Sequence, residues 1–306
     1  MSLFINKARG EGRNDLLYYV LGVLVSFVGG QIIGAIPLLL LMFSKGVYDQ
    51  SVLTNPSLLG VSNNTFFILM MLPFVMNFLL LWLFIRFVHK KRFIVSLTAF
   101  EKFDWKKVFF AFGLWMLLSI VLEVVSYFMK PENYVFNYSG SSFWILVLLS
   151  LTILPIQTSF EELLFRSYLM QGIGLIKPYR IIPFLITSIG FGLMHIANPE
   201  VGEYGYLTLI SYIGIGLLLG LLTILSDSME FALGLHAANN IYSATLVGFK
   251  GSALTTDTLF YTKEVSMDLT SNLIFILVMV VFYWIVHKKY KLLPLSSLWQ
   301  PFQIKA

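Results

Sequence analysis

The chain has 306 residues, of which 58% are hydrophobic and only 12% are charged. Soluble globular chains carry about 25% charged residues, so this composition excludes an ordinary soluble domain, a disordered chain and a nucleic-acid-binding module. The net charge of +5 does not indicate a nucleic-acid partner, because the basic residues occupy short loops between apolar runs. The lack of cysteine in the sequence excludes thiolate catalysis, Cys-ligated metals, disulfides and Cys lipidation.

Apolar runs near membrane-spanning length recur along the whole chain, and about 20 apolar residues in a helix cross a ~30 Å hydrocarbon core. We therefore predict an all-α fold, a polytopic transmembrane helical bundle of about eight spans, with residues 1–306 forming a single transmembrane domain. The predicted spans are residues 16–43, 66–88, 108–129, 143–165, 181–197, 206–225, 231–248 and 269–286. The fifth and seventh spans are short and carry polar residues, which marks them as places to look for function.

Loop charges predict the orientation, because cytoplasmic loops carry an excess of Lys and Arg. With eight spans, fifteen basic residues fall on the side of the two termini, which places both termini in the cytoplasm. These are Lys7, Arg9, Arg13, Lys90, Lys91, Arg92, Lys102, Lys106, Lys107, Lys177, Arg180, Lys288, Lys289, Lys291 and Lys305. Four fall on the other side: Lys45, Lys130, Lys250 and Lys263.

Three charged side chains stand at the end of the fourth span, in the segment F-E-E-L-L-F-R. Glu162 and Arg166 are four residues apart, so they share a helix face and can pair. Glu161 is turned about 100° from Glu162. One guanidinium cannot neutralise two carboxylates, and the carboxylate left over is suited to act as a general base. The alternative is a charged cap that snorkels at the cytoplasmic end of the helix.

Two further constellations lie in the short spans, as F191-G-L-M-H195 and H236-A-A-N-N240. His236 and Asn240 are four residues apart and face one way on a helix. A single histidine in a span is more often a satisfied packing residue than a catalyst, so each segment alone is a weak signal. The remaining histidines sit beside lysines at span ends and are interpreted as interfacial: His89 and His287.

At these residues the sequence resembles the CAAX protease and bacteriocin-processing family (CPBP, or Abi), which includes the Ras-converting CAAX endopeptidases. The family pattern is E-E-x-x-x-R, then F-x-x-x-H, then H-x-x-x-N or D, each in its own membrane helix. The matching residues are Glu161, Glu162, Arg166, Phe191, His195, His236 and Asn240. The resemblance covers the spans of residues 143–248, which would be the catalytic core. It points to a bacterial member, and so to the bacterial cell (inner) membrane.

The resemblance implies roles for these side chains in peptide hydrolysis without a Ser or Cys nucleophile. Glu161 with His195 would activate a water molecule. His236 and Asn240 would donate hydrogen bonds to the oxyanion of the tetrahedral intermediate. Glu162, Arg166 and Phe191 would hold these groups in position. On the predicted spans, we expect the site to open to the cytoplasm.

Metal dependence stays open at the level of sequence. Glu161, His195 and His236 are the residues that could hold Zn with an open position for water. No H-E-x-x-H helix is present in the sequence, so the compact zincin arrangement is absent. We therefore favour a mechanism without a cofactor and keep a divalent metal as the alternative. The expected partners are a peptide or membrane-protein substrate and the lipid bilayer; the sequence specifies neither the substrate nor the oligomeric state.

Two other functions remain possible from the sequence alone. A catalytically silent immunity or binding membrane protein could keep the same fold. An ion-coupled transporter could also use buried Glu, His and Asn, with Glu123 as a further polar group, although carriers usually show repeated halves and no internal repeat is found. We expect a structural role for Glu123 and a solvated outer position for Glu200 and Glu203. Gly214, Gly216 and Gly220 predict a small-residue packing face on the sixth span.

Overall fold

The computed structural model describes residues 3–49, 52, 56–177 and 179–301, so the predicted basic residue Lys305 lies outside the described part of the chain. Helices account for most of the described residues. They are α1 (Leu3–Arg9), α2 (Leu16–Lys45), α3 (Asn63–Val88), α4 (Trp105–Met129), α5 (Ser141–Ile176), α6 (Ile181–Ala197), α7 (Pro199–Tyr204), α8 (Thr208–Ser226), α9 (Glu230–Thr245) and α10 (Leu269–Tyr290).

Six of these helices are long and apolar enough to cross a membrane: α2, α3, α4, α5, α8 and α10. The two others that match predicted spans, α6 and α9, are shorter, as their sequences predicted. The polytopic helical bundle is thus confirmed. The predicted end of the fourth span at residue 165 is wrong, because a π-helical segment, Leu163–Leu169, continues α5 to Ile176. Glu161 therefore lies in the interior of a long helix rather than at its end.

The loops divide into two groups by their hydrogen bonds. The first, which we call the basic face, comprises the loops after α1, α3, α5 and α8 and the segment after α10. Within it the amide of Arg13 donates to the carbonyl of His89 at 2.7 Å, and the amide of Ala99 donates to that of Asp227 at 3.0 Å. The amide of Leu293 donates to the carbonyl of Leu225 at 2.9 Å.

The second group, the sheet face, comprises the loops after α2, after α4, around α7 and after α9. Three short strands join two of these loops: β1 (Tyr134–Phe136), β2 (Val247–Phe249) and β3 (Phe260–Thr262). The central β3 pairs antiparallel with β1 and parallel with β2. Side chains attach the start of α3 and helix α7 to the loop after α9. Asn63 donates to Asp257, and Tyr204 donates to the carbonyl of Lys250. The bundle thus has two distinct ends.

Glycines let the helices that carry the polar motifs approach closely. Helix α9 packs against α4 and α5, and a Cβ at Gly234 would collide with the backbone carbonyl of Val108 in α4. On α8, a Cβ at Gly216 or Gly220 would press on Ser188 of α6. The predicted small-residue face of the sixth span is confirmed.

His89, which directly follows α3 at the basic face, is buried inside the protein. Only 1% of the surface of His89 is exposed. One ring nitrogen lies 2.7 Å from the carbonyl oxygen of Arg13, and the other lies 2.8 Å from the hydroxyl of Tyr168 on α5. The ring is buried because the segment before α2 folds over it and supplies the acceptor that a buried imidazole requires.

Candidate active site

The side chains singled out in three separate spans converge on one cavity. Glu161 from α5, His195 from α6, and His236 with Asn240 from α9 all line a cavity of about 680 Å³. Phe191 lines it as well. Sequence separation between these residues is large, so only the packing of α9 against α5 and of α6 against α8 brings them together.

A buried charged network supports one wall of the cavity. Arg166 Nη1 donates to Glu162 Oε1 at 3.0 Å, and both side chains are fully buried. Arg166 Nη2 donates to the carbonyl of Gly216 at 3.1 Å, and the guanidinium lies 4.1 Å from the centre of the Phe191 ring. His236 Nδ1 lies 2.7 Å from Glu162 Oε1, which can only accept, so Nδ1 carries the proton. This pairing fixes the orientation of the His236 ring.

Glu161 is the carboxylate that this network does not neutralise. Its Oε1 accepts a hydrogen bond from Gln157 Nε2 at 2.6 Å. Its Oε2 lies 3.6 Å from His236 Nε2, and within the described residues it accepts no hydrogen bond. At 3.6 Å the two atoms are too far apart for a direct hydrogen bond, but a single water can contact both.

His195 stands at the end of α6 with its ring held on two sides. Its Nδ1 lies 2.8 Å from the carbonyl oxygen of Phe191, which leaves Nε2 as the basic nitrogen. The ring stacks on Tyr212 of α8, with centroids 4.3 Å apart and planes 21° apart. Among the described histidines, only His236 has a ring nitrogen within ion-pair distance of Glu161. His195 also lines the cavity, and its ring contacts Phe191, which the His236 ring contacts as well.

Asn240 belongs to a chain of amide hydrogen bonds that the sequence did not reveal. Its Nδ2 donates to Gln157 Oε1 at 2.9 Å, so Gln157 connects Asn240 to Glu161. Asn239 Nδ2 donates to Asn240 Oδ1 at 3.1 Å, and Trp115 Nε1 donates to Asn239 Oδ1 at 3.3 Å. The position of Gln157, four residues before Glu161 on the same helix face, was the available signal.

Glu200 is not solvated, which corrects the expectation from sequence. It is 6% exposed and lines the cavity. Its Oε1 accepts the backbone amide of Ala253, because the loop after α9 folds back over α7. Burial raises the pKa of Glu200 above its ordinary value. Glu203 remains at the surface as predicted, where it pairs with Lys250 at 3.1 Å.

Within the described residues, no group of three or more His, Asp or Glu side chains is arranged to hold a metal ion. The Nδ1 atoms of His195 and His236 are engaged by Phe191 and Glu162, which leaves both Nε2 atoms free. The divalent-metal alternative considered from sequence stays a prediction.

Known proteins point to the same residues. The family model for the type II CAAX prenyl endopeptidase Rce1-like family matches residues 140–242, which include every motif residue named above. The Bacillus subtilis (strain 168) protein described as "Uncharacterized protein YyaK" is 32% identical over 251 residues, covering 79% of this chain and 81% of its own. No solved structure matches. Together with the convergence of the motifs on one cavity, these similarities show that the chain belongs to the Rce1-like CAAX endopeptidase family.

Proposed function

We propose that the protein is an intramembrane endopeptidase that hydrolyses a peptide bond of a membrane-associated peptide or protein. Family membership supports a CAAX-type protease in a membrane and does not favour the silent or transporting alternatives. The observation that carries the proposal is the unpartnered Oε2 of Glu161, which faces His236 across 3.6 Å at the wall of a cavity that also receives His195 and Asn240.

In the proposed mechanism, Glu161 takes a proton from a water molecule while the water oxygen bonds to the substrate carbonyl carbon. His195 Nε2, the ring nitrogen left free by Phe191, assists this step. The Glu161 proton then passes to the amide nitrogen as the carbon–nitrogen bond breaks, which leaves a carboxylic acid and an amine. General-base assistance of this kind contributes typically 10²–10⁴-fold.

His236 and Asn240 are proposed to stabilise the oxyanion. Glu162 holds Nδ1 of His236, which directs Nε2 toward Glu161 and the cavity, where its proposed role is to donate to the oxyanion. Asn240 uses one amide hydrogen for Gln157 and has a second to offer. Loss of one oxyanion donor costs about 3–4 kcal/mol of barrier in enzymes where this was measured. Glu162 and Arg166 act only by positioning His236.

Comparative peptidomics tests the proposal and identifies the substrate in one experiment. Cells with the wild-type protein are compared with cells that carry Glu161→Gln, a nearly isosteric change that removes the base. We expect particular cleavage products to disappear and their precursors to accumulate. The control is Glu203→Gln, which alters a surface glutamate outside the cavity and leaves the peptides unchanged. Identical peptidomes for wild type and Glu161→Gln would refute the assignment.

Chelation tests the catalytic type. We expect the purified protein to keep its activity after exhaustive chelation, because the proposed base and oxyanion donors are side chains. Loss of activity with rescue by Zn²⁺ would assign the metal-dependent type instead.

We further propose that the protein lies in the bacterial cell membrane with both termini in the cytoplasm.

A further inference from the structure

The walls of the cavity come from one end of the bundle. Lining residues lie in the half of each spanning helix that is nearer the sheet face, such as Met70 in α3, Tyr212 in α8 and Asn272 in α10. Only Glu161 and His236 lie just past the middle of their helices. No loop of the basic face, within the described residues, contributes a lining residue.

The rim of the cavity is formed by sheet-face segments. The loop after α9 contributes Phe249 and the run from Ser252 to Leu254, and the loop around α7 contributes the run from Ala197 to Glu200. Glu200 joins these two loops by accepting the amide of Ala253. Every loop that lines the cavity, within the described residues, therefore belongs to the sheet face, and Glu161 lies at the other end of the lining.

The basic residues on the two faces indicate on which side of the membrane each face lies. Fourteen of the fifteen basic residues that the sequence assigns to the side of the termini are described, and they lie on the basic face or at the helix ends beside it. The sheet face carries four: Lys45, Lys130, Lys250 and Lys263. Because basic loops stay in the cytoplasm, the rim of the cavity lies on the other side of the membrane.

We propose that the cavity receives its substrate from the extracytoplasmic side, so that the substrate is a peptide segment of an exported or membrane protein exposed outside the cytoplasm. The sequence-based expectation of a cytoplasmic opening rested on a fourth span that ended near Glu161. The longer α5 removes that argument, since Glu161 lies well inside the helix. This inference takes the proposed peptidase function as given.

Because the chain contains no cysteine, single introduced cysteines test the orientation directly. Ala253→Cys places a thiol on the rim, at an exposed residue whose backbone amide keeps its bond to Glu200. Lys102→Cys is the matched variant on an exposed position of the basic face. In intact cells, a membrane-impermeant maleimide should label Ala253→Cys and leave Lys102→Cys unlabelled until the cells are permeabilised. The reverse pattern would overturn the inference, and Ser252→Cys replaces Ala253→Cys should that variant not accumulate.

A third variant tests access to the cavity itself. Ser243→Cys lies on the lining of α9 and should react with a small charged methanethiosulfonate added outside intact cells. Reaction only in inside-out vesicles would show that the cavity opens to the cytoplasm. Neither labelling experiment needs catalysis. An unchanged Glu161→Gln peptidome would therefore refute the peptidase function without affecting the inferred side of access. Reversed labelling would refute the inferred side of access without affecting the peptidase function.

Discussion

Gln157 holds the proposed base and one proposed oxyanion donor with opposite ends of a single amide. Its Nε2 donates to Glu161 and its Oε1 accepts from Asn240. Gln157→Leu removes both bonds. A hydrogen bond to a charged group is worth about 1.5–3 kcal/mol, so we expect kcat to fall roughly tenfold to a hundredfold.

The measurement for Gln157→Leu is steady-state cleavage of the substrate that the peptidomics identifies. Because Gln157 positions other groups, we expect kcat to fall while KM changes little. Thr152→Ala, an exposed position on the same helix, is the control. A KM effect with unchanged kcat would mean that Gln157 contacts substrate instead of positioning Glu161.

Arg166 neutralises Glu162 in a fully buried pair. Removing one partner of a buried pair leaves an uncompensated charge and costs about 3–5 kcal/mol. We therefore expect Arg166→Met to lower the thermal unfolding midpoint strongly in detergent. Adding Glu162→Gln to that variant should recover part of the loss, because the uncompensated charge of Glu162 is then removed as well. Equal stability of the single and double variants would contradict this account.

At the scale of elements, the contact between α4 and α9 depends on a missing side chain. A Cβ at Gly234 would collide with the Val108 carbonyl, whereas one at Gly113 in α4 would meet nothing. Gly234→Ala should therefore destabilise the protein by about 1–3 kcal/mol or more. Gly113→Ala should leave it unchanged or more stable, since alanine favours helix. Thermal unfolding in detergent measures both, and equal midpoints would contradict the close approach.

The segment before α2 is attached to the end of α3 by a buried lysine. Lys91 Nζ donates to Asn14 Oδ1 at 2.7 Å and to the Tyr19 hydroxyl at 2.8 Å. Burial lowers the pKa of Lys91 from 10.5 to about 8. The unfolded chain binds this proton more tightly, so the free energy of unfolding should rise as pH increases from about 8 to about 10.5.

Thermal unfolding of the wild type and of Lys91→Met at pH values of about 8 and 10 tests this linkage. The difference between the two proteins in how much their stability changes with pH measures the contribution of Lys91. Lys106→Met, at an exposed position, serves as the control and should keep the wild-type slope. If the stability of Lys91→Met rises with pH as much as that of the wild type, the effect belongs to another group.

At the scale of the whole molecule, the core spans of residues 143–248 are not a self-contained unit. Helices α3, α4 and α10 contribute Met70, Leu122 and Phe275 to the lining of the cavity. A fragment of residues 140–248 would expose those surfaces. We expect it to aggregate on gel filtration in detergent, in contrast to the full chain. A monodisperse, folded fragment would show that the flanking helices are dispensable.

The sequence by itself determined the class of the molecule and singled out five of the side chains that line the cavity. Low charge and recurrent apolar runs require a helical membrane bundle, because a backbone in lipid must satisfy its own hydrogen bonds. The pairing of Glu162 with Arg166 follows from helical spacing alone. Both are local properties, so the residue order carries them.

Only the tertiary structure decided which groups meet and which loops line the cavity. The length of α5, the burial of Glu200 and His89, and the connection of Asn240 to Glu161 through Gln157 all depend on contacts between distant segments. Such contacts leave no periodic signal in the sequence. They arise because polar groups taken out of water must find partners wherever packing of the apolar helices places them.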